Sequence, residues 1–172
     1  MSPRFVLPAL LAALSACSQS SLSNRPADDG FDGGEIQRAQ LPAFPGQASL
    51  IQIYVSPTTT FRFFVDAASI SVSEKGPIRY TMIARSPSGA ENLSYEGLRC
   101  DTLERKLYAF GRPDGTWSMA RSPQWVPISE GQSNRQHAAL AADFFCTQGA
   151  RVRTTEDALR ALRKGAYSGV AQ

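Results

Sequence analysis

Between residues 49 and 119 short apolar runs alternate with turn-forming clusters, and within the runs apolar and polar positions follow a two-residue period. Ser49 to Val55 is a β-branched run closed by Ser56-Pro57, and Phe61 to Asp66 has the composition of a strand. Ser69 to Glu74 sets Ile70 and Val72 against Ser69, Ser71 and Ser73, which gives one apolar and one wet face. After the turn Glu74-Lys75-Gly76-Pro77, the run Ile78 to Arg85 places Ile78, Tyr80 and Met82 on one face. Arg79, Thr81 and Arg85 fall on the other. Ser86-Pro87-Ser88-Gly89 is the next turn. Leu93 to Cys100 and Lys106 to Phe110 follow as paired strands. Arg112-Pro113-Asp114-Gly115 then leads into Thr116 to Met119. Links this short predict an antiparallel meander. Ser122 to Gly131 reads as a loop anchored by Trp125, with Pro123 and Pro127 on either side.

The period then changes from two to 3.6. His137, Leu140, Ala141, Phe144 and Phe145 form one helical stripe that ends at Cys146, and Ser133 with Gln136 has capping-box spacing. A second helix begins at Thr154, with Asp157 at capping distance and Ala158, Leu159 and Leu162 as its apolar face. It is expected to end before Gly165, and Glu156 with Arg160 forms an i,i+4 pair on it. The fold class is therefore α+β: an antiparallel meander of about five or six strands, with two C-terminal helices packed on one face.

The first residues fit none of this. Arg4 precedes an apolar core, Phe5 to Leu14, of signal-peptide length, and Leu14-Ser15-Ala16-Cys17 fits a bacterial lipobox. Cleavage before Cys17 and lipidation of its thiol would anchor the exported chain, because each buried acyl methylene contributes about 0.8 kcal/mol. The alternative is an ordinary secretory signal cut near Ser15, with Cys17 incidental. Residues 1–16 are thus assigned to a signal peptide and 17–40 to a lipidated cysteine with a polar, acidic tether. Residues 41–166 form one globular domain and 167–172 a tail. Ser18 after the cysteine matches outer-membrane sorting, which places the domain in the cell envelope, facing the periplasm.

Export bears on the two remaining cysteines, Cys100 and Cys146, since an exported pair ordinarily forms a disulfide. Two buried free thiols are the other outcome. With one histidine in 172 residues, two sulfurs make a poor zinc site. A formal net charge of +3 is too mild to require nucleic acid. No metal or cofactor is implied, because no phosphate-binding glycine loop, metal-ligand cluster or hydrolase elbow is present.

The candidate chemistry is thin. His137 has the right type for a general base, but it sits on an apolar stripe and reads as structural. Tyr80, Tyr95, Glu96, Arg99, Tyr108 and Trp117 are the residues from which a binding surface on the sheet would be built. Glu96 and Arg99 differ in strand parity, so they face opposite sides, and a cross-strand pair of Glu96 with a neighbouring Lys or Arg is expected. Arg151, Arg153, Arg160, Arg163 and Lys164 make a modest basic patch.

The Leu41-Pro42-Ala43-Phe44-Pro45 lead-in, Arg79-Tyr80-Thr81, Ala84-Arg85-Ser86 and Gly89-Ala90 carry a resemblance. So do Asn92, Ser94-Tyr95-Glu96-Gly97, Arg99-Cys100, Lys106-Leu107-Tyr108-Ala109, Trp117, Trp125 and the helix ending at Cys146. Together they resemble the cryptic-neisserial-protein-like (CNP-like) group of bacterial envelope proteins from about Gln40 to Lys164. The resemblance implies an envelope address and a paired Cys100 and Cys146, and it brings no catalytic residues. The sequence therefore points to a non-enzymatic interaction module in the envelope, anchored to the membrane and bound to an envelope protein or small ligand. A small-molecule or lipid binder using aromatics between sheet and helices is the alternative.

Overall fold

A computed structural model describes residues 40–121, 123–129, 131, 135–147 and 151–168. The signal peptide, Cys17, nearly all of the tether, Ser133 of the first capping box and the last four residues lie outside them. Among the described residues no helix is long and apolar enough to cross a membrane.

The strands are β1 (Leu50–Ile53), β2 (Arg62–Val72), β3 (Ile78–Arg85), β4 (Glu91–Arg99), β5 (Glu104–Gly111), β6 (Trp117–Met119) and β7 (Trp125–Pro127). The first six follow one another across a single antiparallel sheet, as a meander with short links requires. Two hairpins close alike. Gly89 N–H donates to Ser86 O and Gly115 N–H to Arg112 O, each at 3.0 Å, with both glycines at positive φ (87° and 79°). The Ser-Gly and Asp-Gly endings of those turns supply that conformation without steric cost.

Three features depart from the expected pattern. The runs Phe61–Asp66 and Ser69–Glu74 are not two strands but one, β2, carrying an irregularity: Asp66 lies opposite Thr81 and Ser71 opposite Arg79. Side chains hold this bulge. Asp66 Oδ1 accepts from Ala68 N–H at 3.2 Å, and Ser69 Oγ donates to Asp66 O at 2.8 Å. Ser69 Oγ in turn accepts the Thr81 N–H at 2.8 Å, so the buried backbone stays satisfied where the ladder breaks. Second, Trp125–Pro127 is not loop. It adds to the start of β5, with Trp125 opposite Lys106 and Pro127 opposite Glu104. Third, the last helix runs past Gly165.

The helical layer consists of α1 (Arg135–Ala139), a π-helical segment (Leu140–Phe145) and α2 (Thr155–Ser168). The wider turn is visible in the Cys146 N–H, which donates to Ala141 O five residues back at 2.7 Å. It brings Leu140, Ala141, Phe144 and Phe145 all into the core, with Tyr80, Met82 and Leu98 of the sheet. At the start of α2, Thr154 Oγ1 accepts the Asp157 N–H at 3.1 Å, as the capping spacing predicts. The ion pair on that helix joins Arg160 to Asp157 at 2.9 Å, not to Glu156: the i,i+3 partner is the one within reach. Ala158 and Leu162 are fully buried.

Cys100, just past β4, is disulfide-bonded to Cys146, just past the π-helical segment, with a Cα–Cα distance of 5.4 Å. The bond ties the sheet to its helical cover, as the paired cysteines suggested. By the chain-entropy account, closing this 46-residue loop contributes about 4 kcal/mol. Reduction, or Cys100→Ser, is expected to lower the melting temperature by an amount consistent with that figure. Superimposable melting curves with and without reductant would rule it out.

Gly165 lies where a Cβ would overlap the buried ring of Phe144, which explains a glycine inside α2. Gly165→Ala should gain up to about 1 kcal/mol of helix propensity and lose about 1–3 kcal/mol to overpacking. Net destabilisation in urea unfolding is the expected result; a more stable variant would mean that Phe144 has room to move.

Candidate functional site

Glu96 is a carboxylate inside the sheet–helix interface. β4 presents Ser94, Glu96 and Leu98 to the helical layer, opposite Met82, Tyr80 and Ile78 of β3. Three side chains converge on the carboxylate. Ser94 Oγ donates to Oε1 at 2.6 Å, and Tyr80 Oη donates to Oε2 at 3.2 Å. His137 Nε2 stands 2.7 Å from Oε2. The ring N–H points off the straight line to the oxygen. The side chains of Glu96 and His137 are each 5% exposed.

Burial alone would raise the Glu96 carboxyl. The charge of His137, its contact and the Ser94 hydroxyl outweigh that, and with help from Arg105 they hold it below the usual carboxylate range. Burial first, and then the neighbouring Glu96 charge, push the Tyr80 phenol well above its ordinary value, so it remains a donor. Among the described residues His137 Nδ1 meets no hydrogen-bond partner.

His137 from α1 stands against the Glu96 carboxylate where a cross-strand Lys or Arg was expected, and Arg105 of the neighbouring β5 adds its charge. Strand parity correctly separates Glu96 from Arg99, whose guanidinium lies 4.0 Å over the Trp125 ring. A parity argument sees neighbouring strands and misses what the helix brings. One signal was available. The single histidine lies on a helical core stripe and one glutamate lies on the core face of a strand, and two such groups buried in one small domain must meet or stay neutral.

The six residues expected to build a binding surface are divided by the sheet. Tyr80 and Glu96 lie under the helices, with the Tyr80 ring 5.6 Å from that of Phe145. Tyr95, Tyr108 and Trp117 cluster on the opposite face, with ring centroids 5.7 Å (Tyr95–Tyr108) and 6.2 Å (Tyr95–Trp117) apart. A register shift between Tyr95 and Glu96 makes Tyr108 the extra residue of β5. Its ring then lies on Gly97, where a Cβ would stand 2.7 Å from the phenolic oxygen. The lead-in covers the far end of this cluster: Trp117 Nε1 donates to Pro42 O at 3.0 Å, and Phe44 packs on the indole at 5.4 Å. Tyr95 and Tyr108 are buried, and Trp117 is half-buried. Of the basic patch, Arg151 donates to the backbone of Ser73 (2.8 Å) and Glu74 (3.4 Å), and so secures the β2–β3 turn. No group of three or more His, Cys, Asp or Glu among the described residues is placed to hold a metal ion.

Fold and site together define a disulfide-stapled α+β domain with the Glu96–His137 pair buried in its core. The chain belongs to the CNP1-like family, whose family model matches residues 34–163. No curated protein and no solved structure matches it.

Because Glu96 is depressed on folding, its share of stability is present above the ordinary carboxylate range, about 4.3, and is lost as pH falls through the folded-state value. Urea unfolding across an acid series should show wild-type stability dropping there, and Glu96→Gln should flatten the drop. His137→Ala should cost about 3–5 kcal/mol near neutral pH, since it strands a buried charge. Equal acid slopes in wild type and Glu96→Gln would refute the assignment.

Proposed function

We propose that this protein is an exported, lipid-anchored, non-enzymatic interaction module of the cell envelope, facing the periplasm from the outer membrane. The observation that carries the reading is the closure of the Glu96–His137 pair. A general base must reach its substrate, and this pair is buried with its carboxylate already bonded to Tyr80 and Ser94. Chemistry of that kind is directed inward, to folding. The lipobox pattern at Leu14 to Cys17 supports the address, and a disulfide fits an oxidising compartment. A ligand between sheet and helices is the weaker reading, because Tyr80 is fully buried against Phe145.

Mass spectrometry of the mature product should find Cys17 acylated at a new N-terminus, and Cys17→Ser should leave the protein unacylated and released from membranes. Photo-crosslinking in intact cells should then give discrete adducts with an envelope component from the anchored form. An unacylated mature terminus, or substrate turnover abolished by His137→Ala or Glu96→Gln in folded protein, would overturn the proposal.

A further inference from the structure

The link between β1 and β2 exposes two large aromatic rings. Tyr54 and Phe61 begin and end this eight-residue connection, residues 54–61, and are 49% and 40% exposed, so both rings face solvent on it. Phe61 is held flat against Phe63, with centroids 6.3 Å apart and planes 28° from parallel. Two recesses flank the link. One of about 300 Å3 is lined by Tyr54, Ser56, Pro57, Phe61 and Arg62, among others. A second of about 240 Å3 is lined by Thr58, Arg135 and Gln136, among others. They share Val55, Thr59, Thr60 and Phe63 as a common wall.

The link is ordered by its own hydroxyls together with Arg135 of α1. Arg135 Nη1 donates to Thr58 Oγ1 at 2.6 Å and to Ser56 Oγ at 3.0 Å, while Ser56 Oγ also accepts the Thr58 N–H at 3.2 Å. The two recesses thus offer exposed flat rings, a row of hydroxyls and two guanidiniums, Arg62 and Arg135. No Asp or Glu lines either recess. Rings present apolar faces to the C–H faces of pyranoses, hydroxyls exchange hydrogen bonds with sugar hydroxyls, and guanidinium forks match carboxylates. Two neighbouring recesses, each near or below the ~300 Å3 lower limit of single-ligand pockets, suit separate rings of one chain better than one compact molecule.

We propose that the surface around residues 54–62 and Arg135 binds a carboxylate-bearing glycan chain. Tyr54 and Phe61 stack on its rings, and Arg62 and Arg135 meet its carboxylates. This deepens the interaction-module reading and rests on it.

Calorimetric titration of the full mature chain in detergent tests the assignment, with tetragalacturonate as the acidic probe and maltotetraose as the neutral one. Saturable binding of tetragalacturonate is expected, with maltotetraose about tenfold weaker or more. Tyr54→Ala and Phe61→Ala should each weaken the acidic probe by about tenfold with little change in melting temperature, because both rings are half-exposed. Arg135→Gln should reduce the preference for the acidic probe. Should that variant unfold, Arg62→Gln carries the same test without disturbing the Ser56–Thr58 contacts. No binding at millimolar tetragalacturonate, or binding indifferent to Tyr54 and Phe61, overturns the glycan assignment. If envelope crosslinks persist when glycan binding is absent, this inference fails alone; if both are absent, the interaction-module reading fails with it.

Discussion

A carboxylate buried between a sheet and its helical cover has to be answered, and the answer constrains where the cover sits. Leaving Glu96 charged and unpartnered in the core would cost several kcal/mol, so the interface is arranged until hydroxyl, phenol and imidazole reach it. His137 arrives from α1, and its position fixes α1 over β4. Four residues on from Glu96, just past the end of the same strand, Cys100 binds Cys146 and fixes the exit of the π-helical segment. The helical layer is therefore pinned twice to β4, once by charge and once covalently. Between the pins Phe145 packs on Tyr80. The wider π turn follows from the same demand: it sets the stripe so that both Phe144 and Phe145 enter the core and Cys146 still reaches β4.

Much of this fold was legible because turn chemistry is local. The Gly89 and Gly115 hairpins, the two faces of β3 and the Thr154 cap follow from residues within a few positions of one another. Where the reading failed, distant partners decided. β2 stays one strand because Ser69 replaces a ladder bond for Thr81, twelve positions away. β7 forms although Pro123 and Pro127 argue for loop, because it needs only the outer edge of β5, where a terminal proline is tolerated. α2 runs through Gly165 because Phe144 needs that space, and a glycine that reads as a helix end is there for packing.

The site was less legible than the fold, for a related reason. Parity assigns a residue to a face and says nothing about exposure on that face. Tyr80, Tyr95 and Tyr108 look equally suited to a recognition groove, yet one lies beneath the helices and the other two are covered on the opposite side. The register shift that makes Tyr108 the extra residue of β5, and the glycine that lets its ring settle, belong to a pairing that only the assembled sheet displays.

The division of labour that results bears on where recognition resides. Side chains with chemical reach, Glu96, His137 and Tyr80, are tied to one another, and changing any of them disturbs the packing on which the helical cover depends. A surface that binds partners has to vary without such a penalty. The β1–β2 link meets that condition. It lies beside β1, at the end of the sheet order, Ser56, Thr58 and Arg135 shape it beyond the contact of Val55 with the main core, and its two rings are half in solvent. Exposed aromatics on an ordered loop lose apolar contact with water when covered and lose little entropy on being fixed. On the proposed reading, stability is concentrated at the inner strand β4 and recognition at the β1 edge of the sheet.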